Sequence, residues 1–313
     1  MTRIALCFPG QGSQSAGMAD GLLDHPLATS LLEVAAAEGV DLAAALRGSD
    51  DELRPTAVAQ PALLLVELVL AAALGSEHQV VGLAGHSVGE YAAVSVSGAY
   101  APADAMRLVI RRGREMAAMT EGTMAAVLGL DATLVEGVCA AVRGQQQGHD
   151  DGEVVVVANL NAPGQTVISG SVDGVARAGV LAREAGARRV LPLNVSGAFH
   201  SPLMAPAAQR FAAVIDAAPR GEMHIPVVCN VDGAVIEHAG DLPGRLARQL
   251  EAPVRWIECV TALVGLGADV LVEVGPGGVL SGLARRIAPD VRTALVGDLA
   301  GAAAPAWLTG APA

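Results

Sequence analysis

The segment Gly85-His86-Ser87-Val88-Gly89 has residue types and spacing suited to nucleophilic chemistry. It reads G-x-S-x-G, the pattern of a sharp strand-to-helix turn that lifts a serine hydroxyl clear of the backbone. The apolar run Val80-Val81-Gly82-Leu83-Ala84 leads into it, and a helix-like stretch from Glu90 to Val96 follows. Glycines two residues to either side leave room for the turn and for a substrate carbonyl. The helix aims backbone N–H groups at the same point. The pattern predicts acyl chemistry on Ser87. The plain alternative is a Gly-rich turn with no chemistry.

A serine hydroxyl needs a base to take its proton. Seven histidines compete for that job. His25, His78, His149 and His238 stand in polar or loop contexts, and His224 precedes a strand. His86 adjoins Ser87, but adjacent side chains diverge at such a turn, so it is expected to pack beneath it. His200 lies in Asn194-Val-Ser-Gly-Ala-Phe-His200-Ser-Pro-Leu-Met204, after one expected strand and before a helix. Strand ends are where open α/β sheets build sites, which makes His200 the best of the seven. Its plain alternative is a loop histidine with satisfied ring nitrogens. Acyl transfer also needs donors for the developing oxyanion. The N–H of Val88 is the natural first, and the loop Pro9-Gly10-Gln11-Gly12-Ser13-Gln14 can supply a second. That loop lacks Gly-Lys-Ser/Thr and is no phosphate loop.

These residues need a scaffold. The chain has 313 residues, 52% of them hydrophobic and only 2% aromatic, so its core is built from Ala, Val and Leu. Short apolar strands alternate with helical stretches, which predicts an α/β protein with a mainly parallel sheet. Helices are expected over 27–38, 61–74 and 102–119. Between 123 and 195 the order becomes β-α-β-β-α-β, the split unit of ferredoxin-like folds. The expected organisation is a large α/β-hydrolase-like domain (1–122 and 194–300), an inserted ferredoxin-like domain (123–193) and a flexible tail (301–313). Residues 143–153 are expected to form a mobile loop.

The net charge of −12 argues against nucleic-acid binding, which needs a basic face. Basic clusters survive at Arg111, Arg112 and Arg114, at Arg188 and Arg189, and at Arg285 and Arg286. Each reads first as a solvated face, and together they could receive an acidic partner. Four scattered cysteines form no metal knuckle or redox pair, which fits a reduced, cytoplasmic setting. The apolar run 4–8 is stopped by Pro9-Gly10, too soon for a signal peptide. The longer run 62–74 contains Glu67 and suits a buried helix, so no membrane is implied.

Five separated segments resemble malonyl-CoA:acyl carrier protein transacylases and the related acyltransferases of polyketide synthesis. They are Phe8-Pro9-Gly10-Gln11-Gly12-Ser13-Gln14, Gly85-His86-Ser87-Val88-Gly89-Glu90-Tyr91, Arg112-Gly113 with Met116, Gly197-Ala198-Phe199-His200-Ser201, and Arg248-Gln249-Leu250 with Pro253-Val254-Arg255-Trp256. Asn161-Ala-Pro-Gly-Gln165 and Glu273-Val-Gly-Pro-Gly277 also fit. The resemblance spans nearly the whole chain. It implies that Ser87 takes the acyl group as an ester, that His200 serves as base and then acid, and that backbone carbonyls near Gln249 orient the imidazole. Gln11 would share the oxyanion hole with the Val88 N–H. Arg112 would clamp the free carboxylate of a malonyl group, a task suited to a planar guanidinium; only the resemblance separates it from Arg111 and Arg114. Met116 and Asn161 would line the substrate site. Phe199, in Ala198-Phe199-His200, would narrow the room beside the α-carbon and favour malonyl over branched groups.

The resemblance further implies malonyl-CoA as substrate, no bound cofactor and no metal. The partner would be an acyl carrier protein presenting a phosphopantetheine arm. Such carriers are acidic, which makes Arg188, Arg189, Arg285 and Arg286 the candidate docking residues. A monomer is the default expectation. Two alternatives keep the site: a discrete acyltransferase serving polyketide synthase carrier domains, and a hydrolase that clears acyl groups from carriers. Arg112 argues against the second. Between Met116 and Met124 the chain is shorter than many bacterial relatives, so the pocket wall there is expected to differ.

Overall fold

The computed structural model describes residues 2–74, 79–144 and 153–303. His78, His149 and most of the expected loop at 143–153 lie outside them. The strands are β1 (Arg3–Phe8), β2 (Gln79–Gly85), β3 (Thr123–Leu128), β4 (Val155–Ala162), β5 (Gln165–Gly170), β6 (Arg189–Pro192), β7 (Val227–Val228), β8 (Val235–Ile236), β9 (Val270–Val274) and β10 (Arg292–Val296).

The larger sheet runs β10-β9-β1-β2-β7-β8. All its pairings are parallel except the short β7–β8 edge. Its interior strand β9 is buried at every position, as a parallel strand covered by helices on both faces must be. The sequence offered no clear sign of β8 or β10. The first is two residues long, and the second alternates weakly and lies at an edge.

The smaller sheet runs β4-β5-β3-β6, antiparallel throughout. Helices Ala132–Gly144 and Val172–Glu184 accompany it, giving the β-α-β-β-α-β order. Its own core includes Val127, Val135, Val155, Ile168 and Ala178. It meets the rest of the molecule where Leu160 N–H donates to the Val254 carbonyl and Val254 N–H donates to that of Ala158.

Two expected boundaries shift with consequence. The helix read as starting at Pro61 begins at Thr56, with Pro55 ahead of it and Pro61 inside. The missing N–H of Pro61 costs one backbone bond. Burial of the following leucines and valines outweighs it, since each is worth roughly 1.5–3 kcal/mol. This helix is long and apolar enough to cross a membrane, yet 72% of it is buried inside the fold. At the other end, helix Leu299–Ala303 runs three residues into the expected tail and buries Ala302; residues 304–313 are outside the described set.

Candidate active site

Strands β1 and β2 place two loops side by side. Phe8 pairs with Gly85, and the His86 N–H donates to the Phe8 carbonyl at 2.8 Å. The chain then turns sharply through Ser87, at φ +53°, into helix Gly89–Val96. The flanking glycines are demanded by the chain itself, more than by a substrate. A Cβ on Gly85 would stand 1.9 Å from the carbonyl carbon of Gly89, and one on Gly89 would stand 2.2 Å from the oxygen of Phe8. Asn230, just after β7, spans the turn. Its Oδ1 accepts from the Ser87 N–H at 2.8 Å, and its Nδ2 donates to the Gly85 carbonyl at 2.8 Å.

Among the described residues, the non-glycine positions with positive φ are Ser87 and His200, at +53° and +57°. Such backbone is costly for a side-chain-bearing residue and persists where surrounding structure enforces it. These two residues meet: Ser87 Oγ lies 2.8 Å from His200 Nε2. His200 Nδ1 lies 2.8 Å from the Gln249 carbonyl oxygen. That oxygen can only accept, so Nδ1 carries the proton and Nε2 presents its lone pair to the serine hydroxyl. Burial, and then the positive charge of Arg112, push the His200 pKa down to about 3. The imidazole is therefore neutral and basic-form at ordinary pH.

Arg112, on helix Pro102–Ala117, is fully buried. Its Nη2 donates to Ser87 Oγ at 3.1 Å and to Gln249 Oε1 at 2.8 Å; its Nη1 donates to Gln60 Oε1 at 2.8 Å. The guanidinium carbon sits 5.5 Å above the Tyr91 ring. Its Nε, shielded from solvent, has no partner among the described residues. The cation thus stands against the hydroxyl itself. The neighbouring Arg111 points elsewhere, pairing with Glu115 at 2.7 Å, and Arg114 donates to the Glu38 carbonyl. Sequence position alone did not distinguish these three arginines; one helical face does.

Gln249 ties the parts together. Its carbonyl holds His200, its Oε1 accepts from Arg112, and its Nε2 donates to the Ser87 carbonyl at 2.9 Å. Gln11 is anchored through Nε2 on Thr56 Oγ1 at 3.1 Å. Met116 is buried, with its sulfur 3.4 Å from Gln60 Nε2. Phe199 is buried beside His200. Asn161 Oδ1 lies 2.8 Å from His86 Nε2, and His86 also packs on Trp256 at 5.5 Å between ring centroids. Burial lowers the His86 pKa.

A cavity of about 210 Å³ opens between the Pro9–Ser13 loop, His86, Asn161, Gln165 and the start of helix Val279–Ile287. On its rim Arg286 donates to Gln165 Oε1 at 2.6 Å and to the Pro163 carbonyl. Arg188, exposed, lies near the same β4–β5 turn, where the backbones of Gly129 and Gly164 approach. Arg285 turns to Thr293 at 3.2 Å, and Arg189 is exposed on β6.

Sequence reasoning missed Thr56, Gln60, Asn230 and Glu90. The first two were hidden by reading Pro61 as a helix start; Pro55, one residue before a threonine, was the available signal. Asn230 follows a two-residue strand and carries no local pattern. Glu90 follows the elbow motif directly, and the motif's pattern assigns chemistry to the serine alone.

A family model described as acyl transferase domain matches residues 6–300. The malonyl CoA-acyl carrier protein transacylase of Bacillus subtilis is 40% identical over 309 residues, covering 95% of this chain and 94% of the relative. The crystal structure of an acyl carrier protein S-malonyltransferase from Vibrio cholerae superposes with a TM-score of 0.87 at 39% identity, over 95% of this chain and 97% of the other. A malonyl-transacylase solved in complex with a type II PKS acyl-carrier protein gives 0.88 at 37% identity, over 96% of this chain and 99% of the other.

Proposed function

The chain belongs to the acyl transferase family, and from that premise we propose that it moves a malonyl group from malonyl-CoA to the thiol of a phosphopantetheine arm on an acyl carrier protein. The observation that carries this reading is the single oxygen Ser87 Oγ, held between a neutral imidazole at 2.8 Å and a guanidinium at 3.1 Å.

Ser87 gives its proton to His200 Nε2 as Oγ attacks the thioester carbonyl. The imidazolium formed is stabilised by the Gln249 carbonyl at Nδ1. The carbonyl oxygen, becoming an anion, is met by the Val88 N–H and by the Gln11 loop. CoA leaves as the thiol, protonated by His200. Malonyl stays on Ser87, with its carboxylate on Arg112. For this the Arg112 Nη2 exchanges its contact with Oγ for the carboxylate, and the unpartnered Nε–H offers a second donor. The carrier thiol then repeats the sequence in reverse. Its arm fits the cavity between the Pro9–Ser13 loop and Asn161, so residues 123–193 act as one wall of the entry. Arg286, bonded to Gln165 at the rim, and Arg188, beside the nearby Gly129, favour an acidic carrier. Malonyl-CoA is substrate here and no resident cofactor enters the scheme.

Intact-mass measurement after incubation with malonyl-, methylmalonyl- and acetyl-CoA tests the proposal, with Ser87→Ala as control. A malonyl adduct confined to the wild type supports it. An acetyl-only adduct removes the role of Arg112, and rapid release of free acid turns the reading to a hydrolase.

A further inference from the structure

One buried ionisable group touches this machinery without a part in the steps above. Glu90, in the first turn of helix Gly89–Val96, is 1% exposed. Its Oε1 accepts from the Asn230 N–H at 3.3 Å, and its Oε2 accepts from Gln249 Nε2. In both of these bonds Glu90 accepts from an N–H, which a carboxylate does best. The buried Cys229 thiol stands beside it.

The amide of Gln249 has only one useful orientation. Arg112 can only donate and the Ser87 carbonyl can only accept, so Oε1 must face the first and Nε2 the second. An acceptor-only carboxylate beside Nε2 enforces that orientation, and Asn230, its other partner, grips both ends of the elbow. We propose that Glu90 is a positioning residue: acting through Gln249 and Asn230, it holds the Arg112 guanidinium and the strained Ser87 turn in register. The inference rests on the acyl-transfer reading and extends it.

The arrangement makes loading sensitive to pH. Burial raises the Glu90 carboxyl to about 7, against the opposing pull of its hydrogen bonds and of Arg112. The groups facing it are Arg112 from helix Pro102–Ala117, Cys229 from the segment after β7, Cys259 from helix Trp256–Gly265, and Tyr91 beside it. Both thiols are pushed far up by burial and stay neutral. His200 titrates near 3, well below this range. A rise in loading through neutrality therefore reports Glu90.

The test measures malonyl-adduct formation on wild type, Glu90→Gln and Glu90→Asp, from about pH 5.5 to about pH 9. The wild type should gain rate as pH rises through neutrality. Glu90→Gln sets an amide NH₂ against a donor, so it should lose that limb. Its kcat/KM should fall roughly ten- to a hundredfold, the span set by one hydrogen bond to a charged group, mostly through KM for malonyl-CoA. Glu90→Asp keeps the charge and should keep the limb. A folded Glu90→Gln with wild-type kcat/KM and an unchanged limb overturns the inference. Should that variant not fold, a flat profile in both wild type and Glu90→Asp overturns it, and a limb in both supports it. Absence of any adduct on wild-type Ser87 would instead sink the acyl-transfer reading beneath it.

Discussion

Arg112 and Ser87 are hydrogen-bonded, Nη2 to Oγ at 3.1 Å, although the arginine is fully buried at mid-helix and the serine stands at the tip of a turn. The same Nη2 is shared with Gln249 Oε1. One cation therefore lies within reach of both the nucleophile and the tail of any acyl group attached to it.

Arg112→Lys keeps a positive charge but loses the planar fork that serves Gln60, Gln249 and Ser87 together. Malonyl loading should drop on the order of a hundredfold, about 2–3 kcal/mol, as expected for truncating a buried charged hydrogen-bond partner. Acetyl loading should change far less. Equal losses for the two acyl-CoAs would remove the carboxylate role.

Phe199 is buried next to His200. Phe199→Ala should admit a methyl branch at the α-carbon and shift the malonyl-to-methylmalonyl preference by about 1–3 kcal/mol, the scale of methylene-sized discrimination. Competition between the two CoA esters, read by mass, measures the shift. An unaltered ratio would place the α-carbon elsewhere.

Charge reversal at Arg188 and Arg286 should raise KM for the carrier protein and leave KM for malonyl-CoA alone, with a loss that shrinks at high salt. Arg285→Glu should matter less, because that side chain turns toward Thr293. Carrier kinetics identical to wild type would move the docking face.

Two buried groups should give stability opposite pH slopes. His200 has its pKa lowered from 6.5 to about 3, so the folded state binds fewer protons in that window. Its contribution is present above pH 6.5 and lost as pH falls toward 3. Glu90 is raised from 4.5 to about 7, so its contribution is present below 4.5 and lost as pH rises through 7. Urea midpoints across pH should show the gap between Glu90→Gln and wild type moving in favour of the variant as pH rises from about 4.5 to about 7. The same slope in both proteins would contradict the raised carboxyl.

Much of this was legible in the chain. Apolar runs of strand length alternating with helical stretches identify an α/β sheet, because burial on both faces demands continuous Val, Leu and Ala. The two elbow glycines and the tight turn they permit were visible; the close approach of Gly89 to the end of β1, at a contact no Cβ survives, was not. Helix Thr56–Ala73 was read one turn and more too late, and with it went Thr56 and Gln60.

The sequence by itself determined which chemistries were available: a serine at a turn built for exposure, a histidine expected at a strand end that stands instead in a loop eight residues beyond the antiparallel strand β6, and an arginine among arginines. Tertiary structure decided which of them meet. It brought His200 to Ser87 across 113 positions, chose Arg112 over its two neighbours, and surrounded the three with Gln60, Glu90, Asn230 and Gln249. Local patterns arise from backbone periodicity and sterics and are written in adjacent residues. A buried polar network is satisfied only by partners from distant segments, and no short window of sequence contains both ends of its bonds.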